Sequence, residues 1–154
     1  MATTSLSVEE VAEVVDRVAS LLMLTRDEPI PPFETRYPGK LESCISQPFQ
    51  SFGGEEMYPT IPGKASALFY LMTKNHPFVN GNKRIAVVTM LYYLATEGIG
   101  IDASSEELYR LAVEVAQSNS AASDDVMKVI AQFINSFQVP FADWIDGSGE
   151  DSSV

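Results

Sequence analysis

Residues 76–95 read HPFVNGNKRIAVVTMLYYLA, and the run joins a charged turn to a long apolar segment. From residue 85 to residue 95 the side chains are apolar nearly all round, which is typical of a helix packed on several sides. The sequence therefore predicts a central helix at residues 82–96. The turn before it contains Gly81, which can take a positive φ and lets the backbone approach a ligand closely.

Capping residues and apolar side chains at helical spacing predict five further helices. The expected ranges are 7–24, 39–46, 62–75, 104–117 and 123–137. Ser7 and Glu10 form a capping box at the first of them. Ser123 is expected to cap the last, with Val126, Val129, Ile130, Phe133 and Ile134 facing inward.

Gly53-Gly54 lies between aromatic residues and predicts a short β-hairpin within residues 49–60. The predicted fold class is therefore all-α, a compact helical bundle around a central apolar helix with one small hairpin. Residues 1–140 are expected to form one domain, and residues 141–154 a disordered acidic tail.

Composition and charge exclude several functional classes. The formal net charge of −11 argues against binding to nucleic acid, whose phosphates most of the surface would repel. Apolar runs are too short for a membrane span, and the N-terminus has no signal-peptide pattern. A single cysteine, Cys44, suits a reducing compartment, so we expect a cytoplasmic protein.

The distribution of charge indicates a local anion site. No Asp or Glu occurs in residues 57–96, whereas Lys64, Lys74, Lys83 and Arg84 are four of the ten basic residues. A helix that starts near residue 82 directs its unbonded N–H groups and its dipole at the turn, and both favour an anion. Lys83 and Arg84 would add full charges to that phosphate site.

His76, the one histidine of the chain, lies just across this turn. An imidazole accepts a proton near neutral pH, so it could deprotonate a hydroxyl that attacks a bound phosphate. Two simpler interpretations stay open at this point. His76 could merely cap the preceding helix, and the two cations could be ordinary solvated charges, although cations at a helix start oppose its dipole.

Residues 76–84 resemble the active-site motif of the Fic/Doc family, His-x-Phe-x-(Asp/Glu)-(Gly/Ala)-Asn-x-Arg, at eight of nine positions. The resemblance extends upstream through KASAL at residues 64–68 and covers roughly residues 7–137. It implies a small helical bundle whose motif loop binds ATP and Mg²⁺. It makes His76 the general base and places Gly81, Asn82 and Arg84 in the phosphate site. The hairpin corresponds to the family's flap, which holds a target segment as an added strand.

Two positions bear on the kind of transfer. Nucleotide-transferring members usually have Gly where this chain has Lys83, and a second Arg where it has Val87. In both respects the chain resembles the Doc toxins, which phosphorylate a hydroxyl of translation elongation factor Tu. The dipeptide His76-Pro77 and Gly81 are instead common in nucleotidyl-transferring members. Transfer of the γ-phosphate of ATP is the favoured expectation, and nucleotidyl transfer (AMPylation) is the alternative.

Asn80 departs from the family, which has an acidic Mg²⁺ ligand at that position. An amide offers one oxygen but no charge. Three accounts stay open: weak activity with the metal held mainly by the nucleotide, binding without catalysis, or an attenuating change in a toxic protein.

The sequence also bears on regulation. The family's inhibitory pattern, Ser/Thr-x-x-x-Glu-(Gly/Asn), has no convincing match, since Glu10 follows Ser5 and Glu9. An active toxin would then need an antitoxin partner. The first and last predicted helices are candidates for lining the groove that binds it.

Overall fold

The computed structural model describes residues 5–14, 36–78 and 81–146. The helices are α1 (Val8–Val14), α2 (Pro38–Ser46), α3 (Ile61–Asn75), α4 (Asn82–Thr96), α5 (Ser105–Gln117), α6 (Ser123–Phe137) and α7 (Phe141–Ile145). The strands are β1 (Ser51–Phe52), β2 (Glu55–Glu56), β3 (Ile99–Ile101) and β4 (Gln138–Pro140). The predicted class, a helical bundle with a small hairpin, is confirmed.

Helices α3 and α4 form the centre of the bundle. They pack on each other, α4 also contacts α1, α5 and β3, and α3 also contacts α2, α5 and α6. Side chains of α4 are buried on every side, as expected of a helix apolar all round. The sequence missed that α3 is equally central: every residue from Lys64 to Tyr70 is buried.

Side-chain caps begin three of the seven described helices, α1, α3 and α5. Ser7 and Glu10 exchange the two hydrogen bonds of a capping box at α1, at 3.1 and 2.9 Å. Ser104 and Glu107 do the same at α5. The prediction for α6 was wrong in two details. Ser123 is the first residue of the helix and not its cap, and Val129 is 48% exposed. A single 3₁₀ turn (Ser120–Ala122) directly precedes α6, so Ala122 and not Ser123 is the N-cap residue.

The end of the described chain differs most from expectation. Strand β4 pairs antiparallel with β3, with Gly100 opposite Val139, and α7 packs against β3. A Cβ on Gly100 would lie 2.4 Å from the Cβ of Trp144, so this approach requires glycine. Phe141–Ile145 therefore forms a packed helix where a disordered tail was predicted, and residues 147–154 lie outside the described residues.

The first predicted helix is described only in part. Val8–Val14 is helical, and residues 15–24 of the predicted range lie outside the described residues. Across the described ranges, no helix combines the length and the hydropathy needed to cross a membrane.

Candidate active site at the junction of α3 and α4

His76 ends α3 in an uncommon backbone conformation. It is the C-cap residue, with φ 50° and ψ 64°, and its side chain is exposed. Within the described ranges it is the one non-glycine residue with a positive φ. The conformation costs on the order of 1–2 kcal/mol for an L-residue. His76 thus does cap the helix, as the simpler interpretation held. The cap also leaves the imidazole accessible at the start of the motif, so the two interpretations are compatible.

Asn82 closes the turn that follows. Its Oδ1 accepts the Phe78 N–H and its Nδ2 donates to the Phe78 carbonyl, both at 2.9 Å. Phe78 is 1% exposed and belongs to the core. The Tyr37 N–H donates to the Pro77 carbonyl at 2.8 Å and ties the same turn to the start of α2. The turn is therefore held by buried contacts at several points.

The two hydrogen bonds of Asn82 refine its expected role. Both polar atoms of its side chain are engaged with the Phe78 backbone. Its contribution to a phosphate site would come from its backbone N–H. Its side chain ties the start of α4 to the backbone of Phe78.

The start of α4 has the geometry of an anion site. Gly81 is the N-cap residue, with φ 72° and ψ 14°, and the Ile85 N–H donates to its carbonyl at 3.0 Å. In general, the first N–H groups of an α-helix have no acceptor within the helix itself. The first turn contains no acidic residue. Amides and dipole together favour a negative group here.

The four basic residues of the acid-free stretch do not converge on this site. Lys64 contacts Glu56 and the Tyr58 carbonyl, and Lys74 donates to the carbonyls of Ala116 and Ser118 at 3.3 and 2.6 Å. Lys74 thereby satisfies carbonyls at the end of α5. The local positive charge predicted from the sequence thus comes from the first turn of α4: Lys83, which is half-buried, and Arg84, which is 8% exposed.

The predicted metal ligand, Asn80, lies outside the described residues together with Val79. The described residues contain no group of three His, Cys, Asp or Glu side chains that could hold a metal ion. A Mg²⁺ ion that accompanies a nucleotide commonly takes phosphate oxygens, waters and one or two protein ligands. The role of the Asn80 amide oxygen as one such protein ligand therefore stays a prediction from the sequence.

The expected hairpin is present as β1 and β2, with Phe52 opposite Glu55. Gly53 and Gly54 both have positive φ, 58° and 84°, as a type I′ turn requires. Phe52 is 62% exposed and Met57 43%. The base of the hairpin contacts Lys64 near the start of α3, whereas His76 follows the end of that helix. At 1.5 Å per residue this places about 17 Å of helix between them.

Sequence reasoning missed the role of Lys64. It was counted with the cations of the anion site, yet it is 1% exposed and holds the hairpin. One signal was available in the sequence. Glu56 is the last acid before the acid-free stretch and Lys64 is the first base within it, so the two are the nearest opposite charges there.

Comparison with known proteins shows the family of the chain. The model of the Fic/DOC family matches residues 5–94, which is 90 of the 154 residues and includes the hairpin, the motif at residues 76–84 and most of α4. "Toxin Doc" of Mycolicibacterium smegmatis is 32% identical over 65 residues, 42% of this chain and 50% of that protein. The chain therefore spans about half the length of this curated relative. No solved structure matches the chain. The extent of the family match, more than half of the sequence, shows that this chain belongs to the Fic/DOC family.

Proposed function

We propose that this protein is a Doc-like toxin that transfers the γ-phosphoryl group of ATP to a hydroxyl of a protein target, with elongation factor Tu as the first candidate. One observation carries the proposal. An exposed imidazole ends α3, the amide-rich start of α4 follows, and the turn between them is held by Asn82. The relative named as a toxin supports the toxin class.

The proposed reaction moves one proton, forms one bond and breaks another. The target hydroxyl gives its proton to a ring nitrogen of His76 as its oxygen attacks the γ-phosphorus. The new O–P bond forms, the bond from the γ-phosphorus to the β–γ bridging oxygen breaks, and ADP leaves. The amides of residues 82–84, with Lys83 and Arg84, would hold and neutralise the phosphates. When bound beside Asn80, Mg²⁺ would stabilise charge on the phosphate oxygens.

Phosphoryl transfer is favoured over nucleotidyl transfer by two side chains. Lys83 adds a bulky cation in the first turn of α4, where nucleotide-transferring members usually have Gly. Val87 is 4% exposed and supplies no second guanidinium. Nucleotidyl transfer is the second candidate because Gly81, with its positive φ, matches the small residue common in those members.

Intact-mass analysis of elongation factor Tu after incubation with the protein, ATP and Mg²⁺ tests the proposal. We expect the target to gain the mass of one phosphoryl group. A gain of a whole nucleotide monophosphate would establish the second candidate instead. An unchanged mass would contradict both assignments for this target, and the same incubation with a whole-cell lysate would then show whether another protein is modified.

An antitoxin partner is part of the proposal, because a toxin must be held inactive in the cell that makes it. An open groove of about 640 Å³ lies between the start of α1 and α2, with Leu6, Val8 and Ile45 in its lining. It is a suitable site for a segment that folds on binding.

Glu10, which departs from the inhibitory pattern, serves the α1 capping box and accepts from the Tyr92 hydroxyl at 2.9 Å.

Replacing Asn80 with aspartate should raise the transfer rate. A carboxylate supplies the charge that Mg²⁺ prefers, and we expect a gain of about 10–100-fold, the range that changes around a metal ligand produce. The rate should be measured against Mg²⁺ concentration, with Asn80→Ala as the control that removes the amide oxygen and should lower the rate. If Asn80→Asp gains neither metal affinity nor activity, residue 80 is not the metal ligand.

A further inference from the structure

Lys64 is a buried lysine that holds the hairpin. It lies in the first turn of α3 and is 1% exposed, yet its ammonium group contacts the Glu56 carboxylate and the Tyr58 carbonyl. Glu56 ends β2, and Tyr58 lies on the segment that leads from the hairpin to α3. Both partners of this one side chain therefore belong to the base of the hairpin.

Stability alone does not account for a lysine at this position. Burial removes the hydration of the ammonium group and freezes a flexible side chain, and an apolar residue of similar volume is often at least as stabilising. A cation in the first turn of a helix also opposes the helix dipole. A directional, charge-assisted contact does supply a defined position for the hairpin base, which apolar packing supplies less well.

The hairpin has few other means of holding its position. Its strands are two residues each, and all residues from Ser51 to Met57 are exposed. An isolated two-stranded hairpin is marginally stable in water. On the other side of its base, the Phe49 ring meets the Tyr93 ring of α4 edge-on, with centroids 5.3 Å apart. The hairpin base is thus attached to both central helices, to α4 by an aromatic contact and to α3 by Lys64 and by the 3₁₀ turn Gln47–Phe49 that leads into the hairpin.

Glu56 and Tyr93 share the same surroundings. Burial, together with the nearby carboxylates of Glu97 and Glu56, raises the pKa of the Tyr93 hydroxyl above its ordinary value. The acid that Lys64 holds is therefore within electrostatic reach of α4 as well.

We propose that Lys64 is a positioning residue for the protein target: through Glu56 and the Tyr58 carbonyl it fixes the hairpin against α3, and the hairpin, with exposed Phe52 and Met57, binds the target segment. The inference rests on the proposed function. Lys64 lies about 17 Å of helix from His76 and does not touch the reacting atoms. Lys64 therefore contributes equally to target binding in the ground state and in the transition state. Such a contribution lowers KM for the target and leaves kcat unchanged.

The first test measures the hairpin itself. Chymotrypsin cleaves after exposed Phe52 only as fast as the hairpin can move, so the cleavage rate reports local opening. In Lys64→Met, which keeps the apolar stem, we expect severalfold faster cleavage at Phe52, identified by mass spectrometry. Lys74→Met is the matched control: it removes another lysine of α3 that bonds backbone carbonyls, but those carbonyls belong to residues 116 and 118. Unchanged cleavage in Lys64→Met would overturn the inference.

The second test measures transfer to elongation factor Tu. In Lys64→Met we expect KM for the protein target to rise about tenfold, with kcat and KM for ATP within about twofold of the wild type. Glu56→Gln should give the same pattern, and the double variant should add little, since the two residues act as a pair. Ser104→Ala, which removes the capping box of α5, controls for a general loss of stability.

The outcomes separate the two claims. If the cleavage rate rises but KM for the target does not, or if Ser104→Ala raises KM equally, Lys64 does not position the target. If the wild type transfers nothing to any protein, the proposed function fails. The cleavage experiment then still decides whether Lys64 holds the hairpin, and equal cleavage in the Lys64→Met and Lys74→Met variants would reject that part too.

Discussion

Replacing His76 with alanine should lower the rate of transfer to the target protein by about 10²–10⁴-fold, the usual contribution of a positioned acid or base. The side chain is exposed and lies outside the core, so the fold should persist. The rate is measured by intact mass of the target over time. Growth after induced expression gives a second measure, because the variant should not be toxic.

A second substitution separates the base from the helix cap. His76→Asn keeps a residue that tolerates the left-handed conformation but provides no base. We expect the same loss of transfer as in His76→Ala, with a melting temperature close to that of the wild type. A protein that retained only the fold and a binding role would keep its cellular phenotype in both variants. That result would reject the enzyme assignment.

Replacing Asn82 with alanine should have the largest combined effect on stability and activity. The change removes two buried hydrogen bonds of 2.9 Å to the Phe78 backbone. The lost bonds and the desolvated backbone groups should cost about 2–4 kcal/mol of unfolding free energy. In a domain of this size that corresponds to roughly 5–15 °C in melting temperature. Because the turn joins His76 to the start of α4, a displacement of about 1 Å should also lower transfer on the order of 10²-fold.

The Asn82→Asp variant separates the effect of the hydrogen bond to Phe78 from the effect of charge at the start of α4. Aspartate keeps the acceptor for the Phe78 N–H and places a negative charge near a helix start, which favours folding. It also repels a phosphate at the same place. We therefore expect the melting temperature to be highest in the wild type, lower in Asn82→Asp and lowest in Asn82→Ala. Both variants should transfer the phosphoryl group slowly. Activity near that of the wild type in Asn82→Asp would show that phosphate does not bind at the start of α4, and the same activity in Asn82→Ala would show that the two hydrogen bonds to Phe78 do not position the site.

Much of the helical fold was predictable because its signals are local. The range of α4 was expected and observed at residues 82–96, and the Ser7–Glu10 capping box formed as predicted. The Gly53-Gly54 pair likewise formed the expected hairpin turn. Caps, glycine turns and apolar periodicity act over a few residues, so the sequence contains them without knowledge of the rest of the chain.

The features that were missed depend on residues far apart in the chain. Pairing of β3 with β4 joins residues 99–101 to residues 138–140, and α7 packs because Gly100 leaves room for Trp144. Neither partner carries a local signal for the other. A loop can bring distant segments together in many ways, and only the packed state selects one of them.

The candidate site divides in the same way. The sequence by itself determined which chemical groups residues 76–84 carry: a base, a glycine that permits a turn, and two cations before an apolar helix. Only the tertiary structure decided which partners the two other lysines of the acid-free stretch and the Asn82 amide bind. It places the ammonium group of Lys64 against the base of the hairpin, that of Lys74 against carbonyls at the end of α5, and both ends of the Asn82 amide against Phe78. Residue type sets the charge and hydrogen-bonding capacity of a side chain, but packing alone decides which partner comes within about 3 Å of it.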